Sequence, residues 1–437
     1  MTLVEIGILG IIALLVLIFM RVPVSIAMII VSLVGMFALF PHRGFIPPLF
    51  RLANQTWDTM QNYSLSVIPM FVLMGLVLAQ AGVGADLFDV LHALIGRWRG
   101  GLAYATLITS AAFGAVCGSV VASCSTMVSI AVPGMKKYNY NEAYATSVTA
   151  AGSILAVIIP PSTALVVYGF ITEESIGQVL VAGVIPGIVA TVILCLTIFL
   201  TLRIKPEMAP ASKEKVPFPW AKLKYAWAMP VIFIICIGGI YAGFFTPTEA
   251  GSVGTFVAIL FAIATRRIRW SGFVKVFIAT ARSSAMVYFI FIGGAFFGAF
   301  LAMSTIPTSV ANYIAGLDVS RFLIVMFMLL VYTICGFFMD NMSTMVILTP
   351  IFYPVAVGVL GYNGIWFGVI SIMMLMNGFM TPPVGITVLV ASSIAKIPSS
   401  KVFSVSIPFV IALIVSCVVV AAFPGIATFL PNFMFRR

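Results

Sequence analysis

The sequence predicts an all-α polytopic membrane protein, folded as an inverted-topology repeat with two re-entrant helical hairpins and two broken helices. Composition carries the first part of that reading. Of 437 residues, 62% are hydrophobic and only 8% are charged, and the mean hydropathy is +1.19. Soluble domains carry about 25% charged residues, so a water-facing surface cannot be assembled here and most of the surface must face lipid. Apolar runs of membrane-crossing length carry the second part, and a pair of matched sequence landmarks in the two halves carries the third. The formal charge of +11 does not point to nucleic acid, because the basic residues sit singly or in short clusters between long apolar runs.

A helical span needs about 20 apolar residues to cross the hydrocarbon, and alternating strand-length segments are absent. Residues 1–20 lack a basic start and a small-residue cleavage site, so they read as a retained first span near 3–20. Spans follow near 23–40 and 65–81, then a hairpin at 103–134, a broken span at 144–170 and a span at 177–202. The second half gives spans near 226–244, 248–265 and 280–302, a hairpin at 322–358, a broken span at 365–395 and a last span at 403–424. The segments 46–63 and 84–98 mix apolar residues with Asp58, Asp86, Asp89 and His92, as interfacial helices or connecting arms do. Six cysteines lie inside apolar stretches with no CxxC pair and no histidine beside them, so they read as small buried hydrophobes.

Lysine and arginine set the sidedness. The polar loop 203–224 carries Arg203, Lys205, Lys213, Lys215, Lys222 and Lys224 against Glu207 and Glu214, and a second basic cluster holds Arg266, Arg267, Arg269 and Lys275. Two spans separate them, so both are expected inside. Arg97 and Arg99 at one end of the first hairpin match Lys136 and Lys137 at the other, which makes that hairpin re-entrant. Parity then places both termini outside, against the vote of His42, Arg43, Arg51, Arg436 and Arg437.

The repeat joins residues 117–128, CGSVVASCSTMV, to residues 335–346, CGFFMDNMSTMV. Each is followed by a double proline in a long apolar span, IIPPSTALVV at 158–167 and MTPPVGITVL at 380–389. The halves 1–225 and 226–437 thus share one order of elements but start on opposite sides. Secondary transporters are built this way, with sites near the midplane where helices are interrupted.

Interrupted backbone at membrane depth must line a cavity or be buried in protein. Proline frees the carbonyl four residues earlier, and such carbonyls with Ser and Thr hydroxyls make an oxygen cage for a hard cation. The candidates in the first half are Gly118, Ser119 and Ser123 at the hairpin tip, with Gly152 and Ser153 ahead of Pro160–Pro161. In the second half they are Gly336, Asp340 and Asn341 at the tip, with Thr381, Pro382 and Gly385 at the break. Asp340 is the one carboxylate deep within an apolar stretch, which marks it as functional. Glu249 sits at a helix start where capping serves as well, and Arg282 reads as a residue snorkelling to the interface.

AAFGAVCGSVVAS (111–123), GSILAVIIPPSTALVVYG (152–169), GFFTPTEAGSVG (243–254), GFFMDNMSTMVILTPIF (336–352) and MTPPVG (380–385) together resemble the large membrane subunit of the tripartite ATP-independent periplasmic (TRAP) transporters. That resemblance covers essentially the whole chain. It implies an elevator-type secondary transporter, similar in architecture to the ion transporter superfamily, in the bacterial inner membrane, where the parity above puts both termini on the periplasmic side. It implies a small organic anion as substrate (a carboxylate, sugar acid or sulfonate), Na⁺ as coupling ion and no other cofactor. The partners it implies are a periplasmic substrate-binding protein and a small subunit of about four spans, expected here as a separate chain because residue 1 opens directly on the first span. One cation site would use Gly118 and Ser119 with backbone near Gly152, the other Gly336 and Asp340 with Thr381, Pro382 and Gly385. Ser123, Ser125, Asn341 and Ser343 are the candidates for the substrate. Many family members carry Ser-Gly-Ser-Ser at the first tip, where this chain has Cys117-Gly118-Ser119-Val120. No covalent chemistry is expected, and the absence of a GxxxxGK[ST] loop excludes ATP hydrolysis as the driving force. The alternative is a stand-alone inverted-repeat symporter of cation and organic anion without a binding protein. An intramembrane enzyme would need a catalytic dyad or metal cluster, which a single Asp340 does not supply.

Overall fold

The computed structural model describes residues 1–210 and 217–434; Lys213, Glu214, Lys215, Arg436 and Arg437 lie outside the described residues. The described chain is all-helical, and eight of its helices are long and apolar enough to cross a membrane. The first half runs α1 (Leu3–Phe19), α2 (Val24–Leu39), α3 (Ile46–Gln61), α4 (Val67–Gln80), α5 (Val83–Ile95), α6 (Gly101–Cys117), α7 (Val120–Lys137), α8 (Glu142–Ile154), α9 (Thr163–Thr172), α10 (Ile176–Ala182) and α11 (Val184–Ile204). The second runs α12 (Trp220–Ala226), α13 (Ala228–Tyr241), α14 (Pro247–Ala264), α15 (Trp270–Met303), α16 (Ile306–Ala315), α17 (Arg321–Phe338), α18 (Asn341–Tyr353), α19 (Gly364–Gly378), α20 (Ile386–Ala395), α21 (Ser399–Ala422) and α22 (Gly425–Met434).

Two groups of helices pack together. A frame is made by α1 on α2, α2 on α15, α4 on α14 and α15, and α13 on α14. A central body holds the hairpins α6–α7 and α17–α18, the broken helices α8–α9 and α19–α20, and the helices α10, α11 and α21. The halves exchange partners inside the body: α7 packs on α20, and α18 packs on α9. Neither half is therefore a compact unit by itself.

The orientation of the hairpins follows from their bases. Asn141 N, just past the first hairpin, donates to Met208 O at 3.0 Å, beyond the C-terminal end of α11. Tyr353 Oη, in the second, donates to Glu174 Oε1 at 2.7 Å, before the start of α10. Helices α10 and α11 form one apolar segment, Ile176–Ile204, roughly 40 Å long at 1.5 Å per residue. The bases thus lie at its opposite ends and the tips point toward each other, as inverted repeats require.

Helix α15 is longer than the span expected at 280–302. It starts at Trp270 and runs 34 residues, so Lys275 and Arg282 are helical and Arg282 is exposed. Helix α5, the expected connecting arm, is tied down by charge: Asp86 pairs with Arg267 and Asp89 with Lys222. Arg267 also donates to Ala81 O at 3.0 Å and lies 3.8 Å from the ring centroid of Tyr225. Glu249 closes a capping box with Thr246 at the start of α14, the structural role open to it in the sequence.

Glycines set how closely frame and body approach. A Cβ on Gly75 of α4 would lie 2.5 Å from Cys117 Cα and 2.6 Å from Val116 O, and one on Gly294 of α15 would overlap Val346 of α18. Backbone cannot yield as a side chain can. Gly75→Val is expected to cost about 1–3 kcal/mol by overpacking and to lower the thermal unfolding midpoint in detergent. Gly358→Ala, where nothing lies within 4 Å, should leave that midpoint unchanged.

Candidate functional site

The hairpin tips and both helix breaks meet at one cavity of about 250 Å³. Four helices begin at its wall: α7 through Val120 and Val121, α9 through Thr163, α18 through Asn341 and Met342, and α20 through Ile386 and Thr387. Two helices and the turn after α8 end there, at Cys117, Phe379 and Val157. The frame closes one side with residues of α4 and α15, including Ser283. A helix start presents positive N–H ends and a helix end presents negative carbonyls, each equivalent to roughly half a charge. This cavity therefore offers poles for an anion and for a cation side by side.

Three of the four helix starts are capped by their own sequence. Ser119 caps α7, accepting from Ala122 N at 3.4 Å, and Ser162 caps α9, accepting from Leu165 N at 3.5 Å. Asp340 caps α18: one oxygen accepts from Met342 N at 3.0 Å and Ser343 N at 3.4 Å, and the other takes the Ser343 hydroxyl. Helix α20 starts from Gly385 in the left-handed region, at φ +51°, with no side-chain cap. Its first turn holds the Thr387 hydroxyl, which is buried and has no hydrogen-bond partner. Asn341 Oδ1, on the same cavity wall, is likewise unpartnered.

Both breaks contain a cis Pro–Pro bond, Pro160–Pro161 and Pro382–Pro383. The carbonyls freed by the second proline of each pair are not left open. Val157 O accepts from the Ser162 hydroxyl, and Phe379 O accepts from Thr387 N at 3.1 Å. The first tip is fastened to both breaks, since Thr163 Oγ1 donates to Gly118 O at 2.9 Å and Cys124 Sγ approaches Thr387 O at 3.6 Å. Thr381 Oγ1 donates to Asn377 O at 2.7 Å, which leaves its lone pairs free to accept.

Of the residues singled out in the sequence, Gly118, Ser119, Asp340 and Asn341 line the cavity. Gly118 is the left-handed turn of the first tip, at φ +63°. Thr381, Pro382 and Gly385 form the second break behind it. Gly152 and Gly336 lie elsewhere, at helix contacts. A Cβ on Gly152 would sit 2.8 Å from Ser110 Cβ and 2.9 Å from Leu107 O, so this glycine lets α8 approach α6. Gly336 is inside α17, not at the tip, and faces Gly378 of α19. The second chain reversal comes at Met339–Asp340, about one turn later than the Cys-Gly match implies. Ser123 donates to Ser110 O and Ser125 to Ala122 O, so both hydroxyls are engaged within the first hairpin, as Ser343 is with Asp340. Thr163, Thr387 and Ser283 line the cavity without having been marked. The two threonines are each a few residues past a double proline, and that position was the available signal.

Among the described residues no group of three or more His, Cys, Asp and Glu is arranged to hold a metal, and the cysteines are free thiols. The lining includes the carboxylate of Asp340 and no Lys, Arg or His. Helices that break in pairs around a cavity lined by the hairpin tips, with Ser119, Thr163, Asp340, Asn341 and Thr387 among otherwise apolar side chains, are the architecture of a membrane carrier.

Residues 11–426 match the family model "Tripartite ATP-independent periplasmic transporter, DctM component". The chain belongs to this family of transporter permeases, and it is a multi-pass membrane protein. It is 32% identical over 388 residues to the C4-dicarboxylate TRAP transporter large permease protein DctM of Pseudomonas aeruginosa, covering 88% of this chain and 90% of that one. It is 29% identical to the sialic acid TRAP transporter large permease protein SiaM of Vibrio cholerae, covering 87% and 89%. The isethionate TRAP transporter permease protein DctMQ of Oleidesulfovibrio alaskensis is 28% identical over 87% of this chain and 60% of its own length. Among solved structures, the Alcanivorax borkumensis YdaH transporter superposes with a TM-score of 0.62 at 13% identity, over 87% of this chain and 90% of that one, a likeness of fold.

The Thr163 bond is the simplest element of the site to test. Thr163→Val keeps the shape but strands Gly118 O, and should lower stability by about 1 kcal/mol. Thermal unfolding in detergent reads it, and Thr163→Ser should restore most of the loss.

Proposed function

We propose that this chain is the large membrane subunit of an importer that couples uptake of a small organic anion to Na⁺. The observation that supports it is the central cavity, where four helix starts converge beside one carboxylate and no basic side chain. Helix starts attract an anion. Yet Asp340, held at membrane depth, repels a second negative charge, and a charge out of water must be paired. A bound cation meets both conditions: it pairs with Asp340 and lets the anion settle. Coupling then follows from electrostatics, because each ion raises the other's affinity.

In this reading the anion rests against the starts of α18 and α20, near Asn341 and Thr387. One cation sits at Gly118 and Ser119 of the first tip. The other sits at Asp340 with Thr381, Pro382 and Gly385. Gly152 and Gly336 serve both sites indirectly, by letting each broken helix approach its hairpin. Ser123, Ser125 and Ser343 hold the tips in shape. Carboxylates, sugar acids and sulfonates fit such a pole, and the relatives named above for C4-dicarboxylates, sialic acid and isethionate are named for small organic acids. The body carries the cavity past the frame in an elevator motion. A periplasmic binding protein delivers the anion and a small membrane subunit borders the frame, in a bacterial inner membrane with both termini periplasmic.

The test separates Asp340's charge from its cap. Asn caps helices as well as Asp, so Asp340→Asn should stay folded. For the unaltered protein, replacing K⁺ by Na⁺ at equal ionic strength should raise the unfolding midpoint; binding at 100 times Kd contributes about 2.7 kcal/mol. That gain should shrink sharply in Asp340→Asn, and anion uptake by proteoliposomes holding the complete transporter should lose its dependence on a Na⁺ gradient. Equal stability of the unaltered protein in the two salts, with uptake driven by a proton gradient, would overturn the Na⁺ assignment. Uptake by this chain alone, with no binding protein, would instead favour a stand-alone symporter.

A further inference from the structure

A second large cavity, of about 700 Å³, opens on the outer face of the body between α11 and α21. Its two walls are matched stripes at helical spacing. Leu196, Leu200 and Ile204 face it from α11, and Pro408, Ile411 and Val415 from α21. Except for half-buried Pro408, all of these are exposed, so no described part of the chain covers them. The helices run antiparallel here, since the groove takes in the C-terminal end of α11 and the N-terminal part of α21. From Ile193 to Lys205 it extends roughly 18 Å along α11, close to one leaflet of the ~30 Å hydrocarbon layer.

The two ends differ. The inner end is apolar but for Thr197, whose hydroxyl donates to the Ile193 carbonyl at 2.9 Å. The outer end holds Lys205, Thr201 and Ser404, and Lys401 lies one turn ahead of Ser404, whose hydroxyl donates to the Lys401 carbonyl at 2.8 Å. Side chains three residues apart share a helix face, so Lys401 stands above the groove on the same side as Ser404. The nearest acid in sequence is Glu207, exposed and not part of the lining.

We infer that this groove is a binding site for an anionic phospholipid, one acyl chain along the apolar walls and the phosphate between Lys205 and Lys401. A basic pocket between transmembrane helices at headgroup level recognises such lipids. The apolar depth matches an acyl chain of a single leaflet, and the positive end matches a phosphodiester. A peptide helix would need an acid or a polar tip to meet the lysines, and one leaflet of groove is too short for a span. The lipid site lies away from the central cavity, so it stands or falls independently of the transport reading.

Native mass spectrometry and thermal unfolding of the delipidated, detergent-purified protein test it together. Dioleoyl phosphatidylglycerol is added in one arm, dioleoyl phosphatidylcholine in a second, and inorganic phosphate in a third. The expected result is a retained phosphatidylglycerol adduct and a raised midpoint, with neither from phosphatidylcholine or phosphate. In Lys205→Gln/Lys401→Gln the adduct should fall at least tenfold, while the lipid-free midpoint stays where it was. Ile411→Trp, which fills the groove without touching the lysines, should also weaken the adduct. Equal retention of the two lipids, unchanged phosphatidylglycerol binding in the double variant, or stabilisation by phosphate alone would each overturn the assignment.

Discussion

Backbone N–H and C=O groups find no water in the hydrocarbon, and an unpaired one costs several kcal/mol there. This chain interrupts its helices at four places around the central cavity, and most of the backbone groups released there find partners that meet that cost. Ser119, Ser162 and Asp340 cap three of the helices that restart. Ser162 and Thr387 take up the carbonyls that the double prolines release. Thr163 takes up Gly118 O across the first tip. The body of hairpins and broken helices is the packing solution that holds these donors and acceptors in register. The frame then has only to surround it at the close contacts of Gly75 and Gly294.

The same constraint explains what the sequence revealed. Gly118, Pro160–Pro161, Pro382–Pro383 and Asp340 are residues that a continuous apolar helix does not tolerate cheaply, so each stood out and each marks an interruption. The positions that did not stand out are governed by packing. Gly152 and Gly336 look like tip or break residues in one dimension, but the space around them is filled by Ser110 and Leu107 in one case and by Leu375 and Gly378 in the other. In packing against the first limb of the neighbouring broken helix, Gly336 matches Gly114 rather than Gly118. Matched letters in the two hairpins therefore gave the repeat correctly and its register one turn early. The pairing of Asp86 with Arg267 was hidden for another reason: it joins segments far apart in the chain, and no local pattern encodes such a partner. The N-terminal extension of α15 was hidden because Lys275 lies in it and Arg282 just beyond it, and charges there read as loop or interface.

Cation coupling, as proposed, grows out of the backbone architecture. A carrier of anions can meet its substrate's charge with an arginine; the lining here includes none. Here the positive poles are helix starts, and the Asp340 carboxylate offsets part of them. In the proposed mechanism one added cation beside Asp340 would tip this balance toward binding an anion. Capping and coupling place the same demand on Asp340, since the oxygens that hold the start of α18 also face the cavity. Substitution by Ala would confuse the two roles, while Asn separates them.

The two halves share a backbone device yet occupy different surroundings. Pro160 and Pro161 are buried, with Ser162 and Thr163 beside them, whereas Pro382 and Pro383 are exposed. Helix α9 restarts from a serine cap in the packed interior, and α20 from an uncapped glycine at the open side. A symmetric protein could not distinguish the two ends of its cavity. For the proposed carrier, alternating access in an inverted repeat would amount to exchanging which break is covered, and the asymmetry between Pro160–Pro161 and Pro382–Pro383 is what one of two such arrangements would show. Close glycine contacts make the frame and body fit in discrete positions, because packed interfaces switch between states more readily than they deform continuously.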